Sequence, residues 1–453
     1  MSGGQEMRIP EEGISKDEVL EALRAYKNDD ADYERARTWS LVYYLGEEHH
    51  RFLTDVYSMF MSENALNPVA FRSLRRLEHE VVRMTADLLG GDGDTVGVMT
   101  SGGTESCLLA VLAYRERAAS RFALRKGRPE MIVPESVHVA WEKAAKYFGV
   151  DIVRVPLRDD LRADVDAVAR RINKNTILIV ASAPSYPHGV VDPIAELGAL
   201  AQAHGVPLHV DACLGGFMLP FMERLGFGVP PFDLRVPGVT SIAADVHKYG
   251  YGAKGASVLL YRSMDYLKHQ FFVYENWPGG IFISPALLGT RSGGAIAAAW
   301  AAMKAIGMNG YLELTRTVME TTRALQDGIR SIPGLDILSD PEMSVFAYGP
   351  TDKKLNIFAV ADQMEERGWL MDRLQRPEAL HAMVTPRHAP IVGEFIADLR
   401  DCVEYVRRHP KESAKGNAAL YGMIARVPFR GLVRSEALKI MERMYGPEMK
   451  MPL

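Results

Sequence analysis

Lys248 stands just past an apolar run in Ser241-Ile-Ala-Ala-Asp-Val-His-Lys-Tyr-Gly250, with His247 before it and a turn at Gly250 after it. A lysine so placed is expected to be partly desolvated, which lowers its pKa and exposes the neutral amine that a Schiff base requires. Asp211 closes a second apolar run in His209-Val-Asp-Ala-Cys213. Ligands of open α/β sheets dock at such strand ends, and a carboxylate there can hold a protonated ring nitrogen. Thr100-Ser-Gly-Gly-Thr-Glu-Ser106 falls between an expected strand and an expected helix. Its glycines let the backbone approach a ligand, and the free N–H groups of the helix start favour an anion, most often phosphate. Alone, each segment has an ordinary reading: a snorkelling lysine, a turn-capping aspartate, a Gly-rich βα turn.

Their combination narrows the chemistry. An anion cradle, a strand-end acid and a strand-end amine, in that order on one chain, are the parts that pyridoxal 5′-phosphate needs: a phosphate site, a partner for the pyridine nitrogen and a Schiff-base lysine. Two more residues fit around such a ring. His138 begins a helix after the apolar Met131–Pro134 and could stack on the pyridine face, although by itself it reads better as a solvent-facing helix-start histidine. Ser182 ends the run Thr176–Ser182 and can donate toward the ring oxygen, or simply cap the strand.

These residues must be positioned by alternating strands and helices. The patterning predicts strands at Thr95–Met99, Met131–Pro134, Asp151–Pro156, Thr176–Ser182, Pro207–Asp211, Val239–Ala244 and Ser257–Tyr261. Between them it predicts helices at Thr104–Ser120, His138–Phe148, Ala163–Asn173 and Ile194–His204. Short, wholly apolar strands in β-α alternation imply a mainly parallel sheet covered on both faces. Polar helices are expected up to about residue 60, a large cofactor-binding domain over 61–310, and a smaller α+β domain over 311–453. The last contains helices at Tyr311–Ile332 and Pro390–Arg407 and strand-like runs at Met343–Tyr348 and Ile357–Val360.

Ser101-Gly-Gly-Thr-Glu-Ser106, His209-Val-Asp-Ala-Cys-Leu-Gly-Gly-Phe217 and Asp245-Val-His-Lys-Tyr-Gly-Tyr251 resemble the sphingosine-1-phosphate lyase family. That family lies within the pyridoxal-phosphate decarboxylase group, with the aspartate aminotransferase-like type I fold. The resemblance continues through Pro187-His-Gly-Val-Val-Asp-Pro193, Gly279-Gly-Ile281 and Ala418–Met423. It implies that Lys248 carries the coenzyme, Asp211 faces its pyridine nitrogen, and His138 stacks on its ring. Ser101, Gly102, Gly103, Thr104 and His247 would hold its phosphate, with Ser182 beside the ring and Tyr186 near the reacting centre. Lys254, Thr290 and Arg291 would line the pocket for the substrate's own phosphate, and Tyr44 would reach the site from a second subunit of a homodimer. Asn67 replaces a pocket histidine of the family pattern, which bears on the substrate rather than on the coenzyme. The implied reaction is a retro-aldol cleavage of a phosphorylated sphingoid base, with Tyr186 and His188 as candidate helpers in proton transfer.

Composition sets the remaining bounds. The chain has 453 residues and a net charge of −4, which argues against a nucleic-acid coat. Its three cysteines, Cys107, Cys213 and Cys402, are far apart, so neither a disulfide framework nor a metal site is expected, and a reducing cytoplasm fits. No apolar stretch approaches the roughly 20 residues that span a bilayer. Two other functions share most of these features: an amino-acid decarboxylase, which would release carbon dioxide, and a cofactor-binding dimer without turnover.

Overall fold

In a computed structural model, the structure describes residues 8–447 except 68, 122–126, 353, 412–417 and 419–429. Most of the similar segment Ala418–Met423 therefore lies outside the described residues. Seven strands build the main sheet: β1 (Val96–Thr100), β2 (Glu130–Pro134), β3 (Asp151–Val155), β4 (Thr176–Ser182), β5 (Leu208–Asp211), β6 (Val239–Ala244) and β7 (Ser257–Tyr261). Their spatial order is β1-β7-β6-β5-β4-β2-β3. β3, β2, β4, β5 and β6 run parallel, and β7 is antiparallel to both β6 and β1.

The apolar runs form central strands because both faces are covered. Along β4, Ile179 and Ala181 enter one core while Leu178 and Val180 enter the other. Burying each such aliphatic side chain contributes about 1.5–3 kcal/mol. Register then aligns the strand ends: Ser182 pairs with Asp211, and Asp211 with Ala243. The side chains at these carboxyl ends thus meet at one edge of the sheet, where ligands of such folds bind.

Two further sheets were only partly anticipated. β8 (Phe272–Trp277) and β9 (Gly280–Ser284) form an exposed hairpin. The small sheet has the order β10-β11-β13-β12, from β10 (Leu335–Ile337), β11 (Val345–Pro350), β12 (Asp372–Gln375) and β13 (Glu378–Met383). The expected strand at Ile357–Val360 is instead the start of a helix, Ile357–Glu365. Asn356 overrides the apolar run: its side chain accepts from the N–H groups of Phe358 and Ala359 and so caps the first turn.

One long helix, Gly293–Arg330, runs through position 310 and breaks at Gly307, whose φ is 61°. Tyr311 packs back on the large domain, stacking on Phe221 and donating to the Gly250 carbonyl. At the other end of the chain, Leu370 and Met383 donate to the carbonyls of Arg37 and Trp39, so the N-terminal segment lies against the small sheet. Among the described residues, no helix is long and apolar enough to cross a membrane.

Candidate active site

A cavity of about 430 Å³ opens at the carboxyl ends of β4, β5 and β6. Ser101, Gly102, Gly103, Thr104, His138, Ser182, Tyr186, Asp211, His247, Lys248 and Lys254 all line it. Residues from six separate segments of sequence therefore converge on one space, of a size suited to a small ligand.

One end of the cavity is an anion cradle. Gly102 holds φ +156°, and the helix Gly103–Arg121 starts beside it with its amide groups free. A Cβ on Gly103 would lie 2.8 Å from Cys213 Sγ and 2.9 Å from Asp245 Oδ2, so the turn is open only because the residue is glycine. Glu105 pins the turn by accepting from the N–H groups of Ser101 and Leu287. His247 accepts the Ala256 N–H at Nδ1, which leaves the proton on Nε2, available as a donor.

The other end presents Asp211, buried and held in place by the Trp141 indole N–H at 3.1 Å and the Cys213 N–H at 3.2 Å. Burial works against its ionisation. The His138 imidazole and these donors outweigh that, and its carboxyl sits below the ordinary range. An ionised carboxylate at a strand end, with aromatic walls, fits the protonated ring nitrogen of pyridoxal phosphate. The cradle in the same cavity fits its phosphate, and Lys248 lines that cavity too. The donor set therefore suits that coenzyme.

Lys248 departs from the expected electrostatics. Burial pushes its pKa down and is the strongest single influence, but the Asp245 carboxylate 3.0 Å away, together with Cys213 and Asp211, outweighs it, and the net direction is upward. The resting amine is an ammonium paired with Asp245, not a free nucleophile. Asp245 is buried, lines the cavity and was not singled out from the sequence, although its i, i+3 spacing from Lys248 around a tight turn was a readable signal.

Tyr186 has a pKa raised to about 12, through burial and the nearby Asp372 carboxylate. His188 is buried outside the cavity lining, and burial depresses its pKa to about 4. Lys254 donates to the Leu41 carbonyl at 2.6 Å.

The other expected substrate residues do not reach this cavity within the chain. Asn67 caps a turn, accepting from Val69 and Ala70 N–H. Thr290 accepts from the Asn64 amide. Arg291 is held in a largely buried ion pair with Glu78 at 2.6 Å and lines a second, more apolar cavity of about 760 Å³. Tyr44 packs edge-on against Tyr33, whereas its neighbour Tyr43 is turned inward against Tyr249, under the Lys254 amine.

Comparison with known proteins identifies the family. Residues 41–349 match the pyridoxal-dependent decarboxylase conserved domain. The chain is 44% identical to the sphingosine-1-phosphate lyase of Arabidopsis thaliana over 96% of its own length and 81% of the relative's. It is 42% identical to sphingosine-1-phosphate lyase 1 of Rattus norvegicus, covering 97% of this chain and 77% of that one. The solved structure of a Burkholderia pseudomallei sphingosine-1-phosphate lyase superposes with a TM-score of 0.88 at 38% identity, over 97% of both chains. A glutamate decarboxylase of Lactobacillus brevis shares the fold, with a TM-score of 0.78 at 23% identity. The chain belongs to the sphingosine-1-phosphate lyases of the pyridoxal-dependent decarboxylase family.

Proposed function

We propose that this protein is a pyridoxal-phosphate-dependent carbon–carbon lyase that splits phosphorylated sphingoid bases into a long-chain aldehyde and ethanolamine phosphate. The observation that carries the reading is the convergence of Lys248, Asp211 and the Ser101–Thr104 cradle on one cavity in a chain that aligns with lyases over nearly its whole length. Bound there, the coenzyme supplies an electron sink for the pair released when the carbon–carbon bond breaks. The protein's own part is placement and charge. Asp211 stays ionised and keeps positive charge on the ring nitrogen, the largest electrostatic contribution expected. His138 would pack against the coenzyme, and the N–H groups of the cradle with His247 Nε2 would hold its phosphate. Lys248 would hold the coenzyme through its amine, and with Asp245 3.0 Å from that amine the pair could hold or return a proton. Tyr186, protonated at neutral pH, offers a second proton to the reacting centre.

The site is completed by a second copy of the chain. Phe272, Val273, Tyr274, Trp277, Ile281 and Ile283 expose a large apolar surface on the β8–β9 hairpin, the kind of patch that marks an interface. Tyr44, Asn67, Thr290 and Arg291 lie outside their own chain's cavity and are assigned to the partner's site. A reducing cytoplasm suits the free Cys107, Cys213 and Cys402.

The test is a product assay. Sphinganine 1-phosphate should give ethanolamine phosphate and a long-chain aldehyde in equal amounts, while the unphosphorylated base and glutamate give neither. Carbon dioxide from an amino acid without aldehyde would make the protein a decarboxylase. Coenzyme binding with no product from any amine would make it a non-catalytic binder.

A further inference from the structure

The small domain touches the cavity wall through a buried histidine. Tyr186 follows β4, and its ring stacks on that of His381 with centroids 4.5 Å apart and planes 26° apart. His381 lies on β13 and is fully buried. Its Nε2 is 2.8 Å from the Tyr186 carbonyl oxygen. A carbonyl can only accept, so Nε2 carries a proton and donates it. Nδ1 then faces Asp372 Oδ2 at 3.9 Å, from the residue directly opposite on β12. Neither Nδ1 nor that oxygen has a hydrogen-bond partner among the described residues. Buried polar atoms are seldom left so without a functional reason.

We propose that His381 and Asp372 are positioning residues for Tyr186: the imidazole holds the phenol in the cavity wall, and the carboxylate behind it tunes the proton on the phenol oxygen. The charged and titratable groups facing this array are Lys248 and His138 on the cavity side of Tyr186, and His188 beside His381. Lys248 eases ionisation of the phenol, whereas Asp372 opposes it. The arrangement couples the small domain to proton transfer in the large one without placing a small-domain side chain among the reacting atoms. The proposal rests on the reading of Tyr186 as a proton-handling group of this site.

Two variants test it. In coenzyme-free protein, tetranitromethane nitrates tyrosines through the phenolate, and peptide mass mapping isolates Tyr186. Asp372→Asn removes the opposing charge while keeping the side chain's shape, so nitration of Tyr186 at pH 8 should quicken about threefold, the equivalent of roughly half a pH unit. In loaded enzyme, His381→Phe keeps an aromatic ring but loses the donor to the Tyr186 carbonyl. It should lower kcat about tenfold with KM nearly unchanged, as expected when a proton-transfer group is misplaced, while still taking up coenzyme on Lys248. Unchanged nitration in Asp372→Asn, or an undiminished kcat in His381→Phe, overturns the proposal. If wild-type protein fails to load coenzyme on Lys248, the function proposed above falls instead, and the nitration comparison still decides the role of Asp372.

Discussion

At the scale of single residues, the site differs most from its sequence reading at Lys248. Desolvation was the legible effect, because an apolar run precedes the lysine and burial disfavours charge. The opposing effect, Asp245 at 3.0 Å, depends on how the turn after β6 folds back on itself. The structure therefore has the lysine resting as a paired ammonium that must lose a proton before it can attack an aldehyde. Asp245→Asn should release that proton more easily. At pH 7 coenzyme uptake should quicken by about tenfold, one pKa unit's worth, measured by stopped-flow growth of the coenzyme's visible band. A slower uptake would mean that Asp245 acts as the base that accepts the lysine proton. Asp211 was singled out by its strand-end position only in combination with the cradle and Lys248, whereas Trp141, which holds it, was not: the indole reaches it across 70 positions of sequence. His381, on another domain, carried no local signal at all.

At the scale of elements, continuous apolar runs were the reliable guide. Thr176–Ser182 and Val239–Ala244 form as expected because central parallel strands are buried on both sides. The failures have physical causes as well. Ile357–Val360 is too short a run to distinguish strand from helix, and the cap at Asn356 decides it. The reversed direction of β7 leaves no trace in its composition. The β8–β9 hairpin exposes its apolar residues, so patterning that assumes burial passes over it. One element-level consequence concerns the end of β4. Asp192 accepts from the N–H groups of Ser182 and Ala163, and burial raises its pKa to about 6. A carboxyl whose folded pKa lies above its unfolded value favours folding at low pH, and that contribution is lost as pH rises through about 6. Asp192→Asn removes the titration but also one acceptor. Relative to the wild type, the variant should therefore gain about 2 kcal/mol between pH 4 and pH 7, read from denaturant midpoints at the two pH values. A constant difference would show that Asp192 ionises normally.

At the scale of the whole molecule, the proposed dimer would account together for the exposed hairpin and the four candidate residues left outside their own cavity. Val273 and Ile283 are cross-strand neighbours on the hairpin and are 58% and 57% exposed. Burying such a pair typically contributes a few kcal/mol to association. Placing aspartate at both positions should convert the sedimenting species from dimer to monomer and remove lyase activity, with coenzyme still able to enter the cavity. A double variant that sediments like the wild type would locate the interface elsewhere. A homodimer was implied by family resemblance, but no residue pattern indicated which face would be used, because interface residues differ from core residues only in what covers them.

The proposed activity requires Lys248 and Asp211 to serve one coenzyme, and the most direct measurement of that is reductive trapping. Purified protein incubated with pyridoxal 5′-phosphate, treated with borohydride and digested should carry the added mass on the peptide containing Lys248, and the visible band should vanish in Lys248→Ala. Label on another lysine, or a band that survives in Lys248→Ala, would contradict it.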